Sequence, residues 1–278
     1  MTTAEEKRAR FRAAHEAGNP LIMPNPWDRG SARLLQSIGF QALATTSSGF
    51  AATLGRLDYS VSRDEALGHA AGIVGAVDVP VSADLENCFA DDPDGVATTV
   101  ARAVEVGLAG CSVEDFTTVA DDPIYELSLA AERVAAAAAA SAGSGGSAGS
   151  AGGLVLTARA ENYLNGRPDL DDTIRRLQAY QEAGADVLYA PGMVELDQIR
   201  SLVESVDRPV NVLLLPGCPS VAELASVGVG RISIGGAFAM VALEAVAAAG
   251  LALLEDGSAD YLNSVGRARQ IVRTALEG

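Results

Sequence analysis

Short runs of apolar and β-branched residues alternate along this chain with longer segments in which apolar residues recur at helical spacing, and the alternation persists from end to end. Eight runs read as strands: LIMP (21–24), QALATT (41–46), VPVSAD (79–84), CSVED (111–115), LVLTAR (154–159), DVLYA (186–190), PVNVLL (209–214) and RISIG (231–235). The helical segments between and after them cover 30–37, 63–77, 93–106, 124–140, 170–183, 194–204, 220–227 and 238–249. Eight β-then-α units predict an α/β protein, a single (β/α)8 barrel over residues 1–278, with a doubly wound open sheet as the other arrangement. The phrases SIGFQAL, EVGLAGCSV, EAGADVL and SVGVGRISI each put glycine between a helix end and the next strand, where a left-handed C-terminal cap requires it.

Three segments lie outside the repeat. Residues 1–18 read as an N-terminal helix, 135–153 as a flexible Ala/Gly/Ser loop on the N-terminal face of the barrel, and 258–277 as an extra amphipathic helix. That last helix carries Arg267, Arg269 and Arg273 and is expected to pack on its own chain or on a neighbour. No apolar run is read as reaching the roughly 18 residues of a membrane span, and residues 1–18 lack the apolar centre of a secretory signal. A cytoplasmic protein without a membrane partner is expected. The formal net charge of -16 excludes a phosphate-backbone partner, which demands clustered Lys and Arg, so nucleic acid is not expected. Cys88, Cys111 and Cys218 have no disulfide or metal spacing and read as reduced thiols.

Composition narrows the chemistry further. The single lysine, Lys7, precedes the first strand, which excludes Schiff-base and pyridoxal phosphate catalysis from the core. His15 and His69 fall in helical stretches and are too few for a histidine metal site. Carboxylates, arginine, hydroxyls and an oxygen-bound metal remain. Working residues of a parallel barrel sit at the carboxyl ends of its strands. Those positions here are strongly polar: Asn25, the 45–49 turn, Asp84, Glu86, Glu114, Asp115, Arg159, Glu161 and Asn211. Asp84 and Glu86, two residues apart, point to one side if the strand continues. With Glu114 they make a three-carboxylate face suited to Mg2+ or Mn2+. Arg159 is the one cation among the strand ends and suits an anionic substrate, unless Glu161 or Glu114 pairs with it. The turn TTSSGFAATLG offers backbone amides to an anion, and Asp58 at its end reads as an acid or base, or as a helix cap.

In PNPWDRGSARLLQSIGFQALATTSSGFAATLGRLD, VPVSADLEN, GCSVED, LTARAENYLNGRPDLDDTIRRLQAYQEAGADVLYAPG and RPVNVL, in that order, the chain resembles the isocitrate lyase and phosphoenolpyruvate mutase superfamily, especially its short bacterial members. The resemblance implies an eight-stranded barrel, a dimer or more usually a tetramer, with the final helix exchanged between subunits. It implies Mg2+ held by Asp84, with Glu86 and Glu114 around it. It implies that Ser48, Gly49 and Phe50, with Arg159 and Asn211, bind a small carboxylate substrate, and that Asp58, Arg159 and Glu114 serve catalysis. The shared chemistry would be a pyruvate-type enolate stabilised by metal and arginine. The Lys-Lys-Cys-Gly-His loop of isocitrate and methylisocitrate lyases has no counterpart here. After Glu114 the chain reads DFTTVADDPIYELSLAAERV, which also lacks the Lys and Asn of the phosphonomutase gating loop. Cys88 falls outside the matching motifs, and Tyr125 and Tyr163 are the candidate acids. The expected activity is cleavage of a C–C bond, by retro-aldol reaction or decarboxylation, in a small 2-hydroxy or 2-oxo di- or tricarboxylate. The alternatives are phosphonate P–C mutase or hydrolase chemistry and a non-catalytic carboxylate binder.

Overall fold

The computed structural model describes residues 2–142, 152–255 and 257–277. Eight strands appear in chain order: β1 (Leu21–Met23), β2 (Leu43–Ala44), β3 (Val81–Asp84), β4 (Gly110–Glu114), β5 (Val155–Arg159), β6 (Val187–Tyr189), β7 (Val210–Leu213) and β8 (Arg231–Ser233). Every pairing is parallel, in the order β1-β8-β7-β6-β5-β4-β3-β2. Between β1 and β2 the Ala44 amide donates to the Pro24 carbonyl at 3.1 Å, which brings the ring nearly to closure. This is a (β/α)8 barrel.

Around the strands run α1 (Ala4–Ala13), α2 (Arg29–Ser37), α3 (Ser47–Thr53), α4 (Arg63–Val74), α5 (Pro93–Glu105), α6 (Leu127–Ser141), α7 (Leu170–Glu182), α8 (Leu196–Glu204), α9 (Val221–Ser226), α10 (Ala237–Glu255) and α11 (Gly266–Glu277). Side-chain caps start many of them. Thr3, Asp28, Ser62 and Ser220 form capping boxes, and Thr46, Asp92 and Asp169 each accept the amide three residues on. The glycines of the four recurring phrases, Gly39, Gly107, Gly184 and Gly228, have φ of 109°, 83°, 104° and 90°, a region costly for other residues. Helix α1 closes the N-terminal end, where Phe11 is fully buried against Leu21, Met23, Val155 and Val187. Gly110 makes room for it, because a Cβ there would lie 2.6 Å from Phe11 Cε1.

Several expectations need correction. The turn after β2 contains a helix, α3, nucleated by the Thr46 cap. Residues 135–141 of the expected flexible loop continue α6, in keeping with the high helix propensity of alanine, while 143–151 lie outside the described residues. The segment read as 238–249 extends over 19 residues as α10, with a mean hydropathy of 2.2. By length and composition α10 could cross a membrane, so the expectation that no run reaches that length does not hold; Glu244 and Gly250 interrupt the run without lowering its average enough. Only 6% of it is buried within the chain, and Val241, Val246 and Leu254 are exposed. Helix α11, within the expected C-terminal segment, packs on α2 of its own chain.

Candidate active site

The carboxyl ends of the strands surround a cavity of about 440 Å³. Parallel register sets its order: Asp84 lies level with Ser112, Glu114 with Arg159, and Arg159 with Tyr189. Arg159 is the hub. Its Nε donates to Glu161 at 2.6 Å, its Nη1 meets Glu114 at 2.8 Å and Asp84 at 3.3 Å, and its guanidinium lies 4.9 Å from the Tyr189 ring centre. Asp84 is the most exposed of these three acids, and its other oxygen accepts the Ser47 hydroxyl at 3.2 Å. Glu114 accepts the Tyr59 hydroxyl at 3.0 Å. Buried Asp115 anchors the neighbouring turn by accepting from the Glu161 amide at 2.8 Å and the Tyr180 hydroxyl at 2.6 Å.

One guanidinium therefore faces Asp84, Glu114 and Glu161, with Asp58 on the same cavity wall and Glu86 behind Asp84. Burial, then Asp84 and Asp58, pushes the Glu86 carboxyl up to about 8, while burial raises Glu161 to about 6 against the pull of Arg159. Burial also lifts Glu114 well above the ordinary carboxylate range, and it raises Asp58. Arg159 is held well above its ordinary value because the surrounding acids outweigh its burial. The cluster is short of positive charge.

A pH dependence follows. Glu86 keeps its proton in the folded chain up to about 8 but loses it near 4.5 when unfolded, so the folded state binds more protons between those values. Its contribution is complete below 4.5 and is lost as pH rises to about 8. His15, pushed down to about 3 by burial and Arg231, acts in the opposite direction only below its ordinary 6.5. Chemical unfolding in a chelator should therefore show stability falling between pH 6.5 and 8, with a shallower fall in Glu86→Gln. Stability that is flat or rising over that window would contradict this charge balance.

The expected site residues do not all converge. Ser48 lines the cavity, its Oγ 3.2 Å from Thr46 Oγ1. The Gly49 amide donates to Thr46 Oγ1 at 3.3 Å and the Phe50 amide to the Thr46 carbonyl at 3.0 Å, so both amides serve the first turn of α3 instead of the cavity. Phe50 stacks on His69 at 3.9 Å, behind the wall. Asn211 lines the cavity with its amide already engaged: it donates to Ser233 at 2.9 Å and accepts from Arg231 at 2.9 Å. Tyr163 bonds Gln198 at 3.2 Å and Tyr125 bonds Asp91, and neither lines the cavity. Cys88 is buried with its thiol pushed up to about 12, an inert bystander.

The three-carboxylate metal face is also corrected. Beyond the strand the chain turns, giving Glu86 a φ of 53° that breaks the two-residue alternation, and both Glu114 oxygens are taken by Arg159 and Tyr59. Among the described residues no three His, Cys, Asp or Glu side chains are grouped to hold a metal ion. The donor set nonetheless fits Mg2+, which commonly takes one or two carboxylates and completes its octahedron with waters and substrate oxygens. Asp84 is the carboxylate suited to that role, and the excess of acids over Arg159 favours a cation there.

Sequence reasoning missed Tyr59 and Arg231. Tyr59 follows Asp58 directly, so the loop had already been singled out. Arg231 opens β8 and points inside the barrel, donating to Thr157 at 3.0 Å, which makes it a second cation on the cavity wall.

The family model for phosphoenolpyruvate phosphomutase matches residues 11–254. A crystal structure from Burkholderia cenocepacia J2315, provisionally designated a lyase/mutase, is 47% identical and superimposes with a TM-score of 0.90 over 97% of this chain and 96% of that one. An uncharacterized protein of Mycobacterium tuberculosis is 30% identical over 81% of both chains. The 2-methylisocitrate lyase of Escherichia coli (strain K12) is 29% identical over 72% of this chain and 67% of its own. The fold is shared with a phosphonopyruvate hydrolase crystallised with oxalate and Mg2+, 22% identical over 95% of this chain and 96% of that one, at a TM-score of 0.78. The chain belongs to the phosphoenolpyruvate phosphomutase family, within the isocitrate lyase and phosphoenolpyruvate mutase superfamily of lyases and mutases.

Proposed function

We propose that this protein is a Mg2+- or Mn2+-dependent lyase that breaks a C–C bond in a small 2-hydroxy or 2-oxo di- or tricarboxylate through a pyruvate-type enolate. The observation that carries the reading is Arg159, set among Asp84, Glu114 and Glu161 in a polar cavity whose acids exceed its cations. A divalent cation at Asp84 would supply Lewis-acid stabilisation of the developing oxyanion. Arg159 binds a substrate carboxylate in the cavity and stabilises charge spreading from the reacting carbon. Glu114 and Glu161 fix the plane of the guanidinium, so the arginine needs little reorganisation as charge develops. The Ser47 hydroxyl holds Asp84, and Ser48 presents a hydroxyl to the same space.

In a retro-aldol reaction Asp58, whose carboxyl burial raises, takes the proton of the 2-hydroxyl group, that carbon becomes the 2-oxo group of the product, and the electron pair of the broken bond leaves as the enolate of the other carboxylate fragment. Decarboxylation asks less of the protein, because departing CO2 leaves the enolate directly. The lyase reading is favoured over phosphonate chemistry because the loop after Glu114 lacks the mutase Lys and Asn, and it agrees with the 2-methylisocitrate lyase among the relatives. Its test is divalent-dependent pyruvate release from a panel of carbon acids and phosphonopyruvate.

A further inference from the structure

Cleavage to an enolate requires a proton for the enolate carbon, and no Lys, Cys or His lines the cavity among the described residues. Two phenols do, Tyr59 and Tyr189. Arg159 sits over the Tyr189 ring at 4.9 Å, and the Tyr189 hydroxyl meets Ser233, which assigns that residue to supporting the guanidinium. Resting on the lyase reading above, we infer that Tyr59 is the catalytic acid that protonates the enolate carbon, with Glu114 as the acceptor that positions its hydroxyl.

Three observations converge on Tyr59. Its backbone has a φ of 58°, a left-handed conformation that costs a non-glycine residue about 1 kcal/mol or more and is retained mainly where surrounding structure demands it. Its ring meets Phe116 edge-on, with centres 5.0 Å apart, which fixes its direction. Its hydroxyl is 3.0 Å from Glu114 Oε2, beside the carboxylate that Arg159 holds through the other oxygen.

The balance of the step is simple. The breaking C–C bond leaves its electron pair on the enolate, the Tyr59 O–H proton passes to the enolate carbon, and solvent returns a proton to the phenolate oxygen. Burial raises the Tyr59 hydroxyl, so the phenol holds its proton until the enolate forms.

Tyr59→Phe keeps the ring and removes only the hydroxyl. With circular dichroism confirming the fold, pyruvate release should fall on the order of 10²-fold or more in kcat with KM little changed. Where cleavage leaves the pyruvate enolate, the variant should also lose the exchange of pyruvate methyl protons in D2O expected of the wild type, read by NMR. Tyr163→Phe, altered outside the cavity, should retain both activities. A Tyr59→Phe protein within about tenfold of wild type in both assays overturns the assignment. A wild-type protein silent in both overturns the lyase reading itself, and the assignment with it.

Discussion

Replacing Asp84 with alanine is expected to lower divalent-dependent turnover by on the order of 10³-fold while leaving the protein folded. Asp84 is the acid best placed to take a cation. It is more exposed than Glu114 and Glu161, and Ser47 and Arg159 hold its two oxygens in position. Its removal frees Arg159 to close on Glu114 and Glu161, which already meet it at 2.8 Å and 2.6 Å, so under the proposed function the cation is lost and the arginine turns away from the substrate. Packing changes little because no apolar contact is deleted. Pyruvate release read beside a thermal melt separates the two effects. An Asp84→Ala protein of unchanged activity would show that the cavity works without this carboxylate.

A second large effect is expected in stability. Arg133, on α6, is 1% exposed, and its guanidinium donates to the carbonyls of Glu114, Asn87 and Ala90 at 2.9, 2.6 and 3.0 Å. It also lies 4.1 Å from the centre of the Tyr125 ring. Arg133→Met keeps much of the apolar stem but strands three carbonyls, each costing about 1–3 kcal/mol when buried without a partner. The loss should be about 3–5 kcal/mol by urea unfolding. The turn it braces contains Glu86, Cys88 and Phe89, with φ of 53°, 61° and 56°, so three non-glycine residues there hold a left-handed conformation. Loss of Arg133 lets that turn relax and disturbs the chain just beyond Asp84. A cost under about 1 kcal/mol would mean that water replaces the guanidinium at these carbonyls.

The barrel was legible because its signals are local. Strand periodicity, the four capping glycines and the polar strand ends all reflect constraints within one βα unit, and Asp84, Glu114 and Arg159 fall at strand ends as that rule requires. What escaped depends on longer-range geometry. Glu86 was assigned to the Asp84 face by alternation, which ends when the backbone enters the left-handed region. Gly49 and Phe50 were read as amides open to an anion, but the Thr46 cap draws both into α3. Tyr59 reaches Glu114 across 55 residues of chain, and no spacing rule joins a loop to a strand two units away. The length of α10 was obscured by Glu244, the one charge inside an apolar run that ends at Glu255.

A divalent-dependent carbon lyase is tested by the release of a 2-oxo acid, pyruvate or, from isocitrate, glyoxylate, when the purified protein is given oxaloacetate, methylisocitrate, isocitrate, dimethylmalate or phosphonopyruvate, each with Mg2+ and again with excess chelator. Release is expected from one of the four carbon acids, abolished by the chelator and restored by added Mg2+ or Mn2+. Release from phosphonopyruvate alone, or release that persists in the chelator, would contradict the lyase reading.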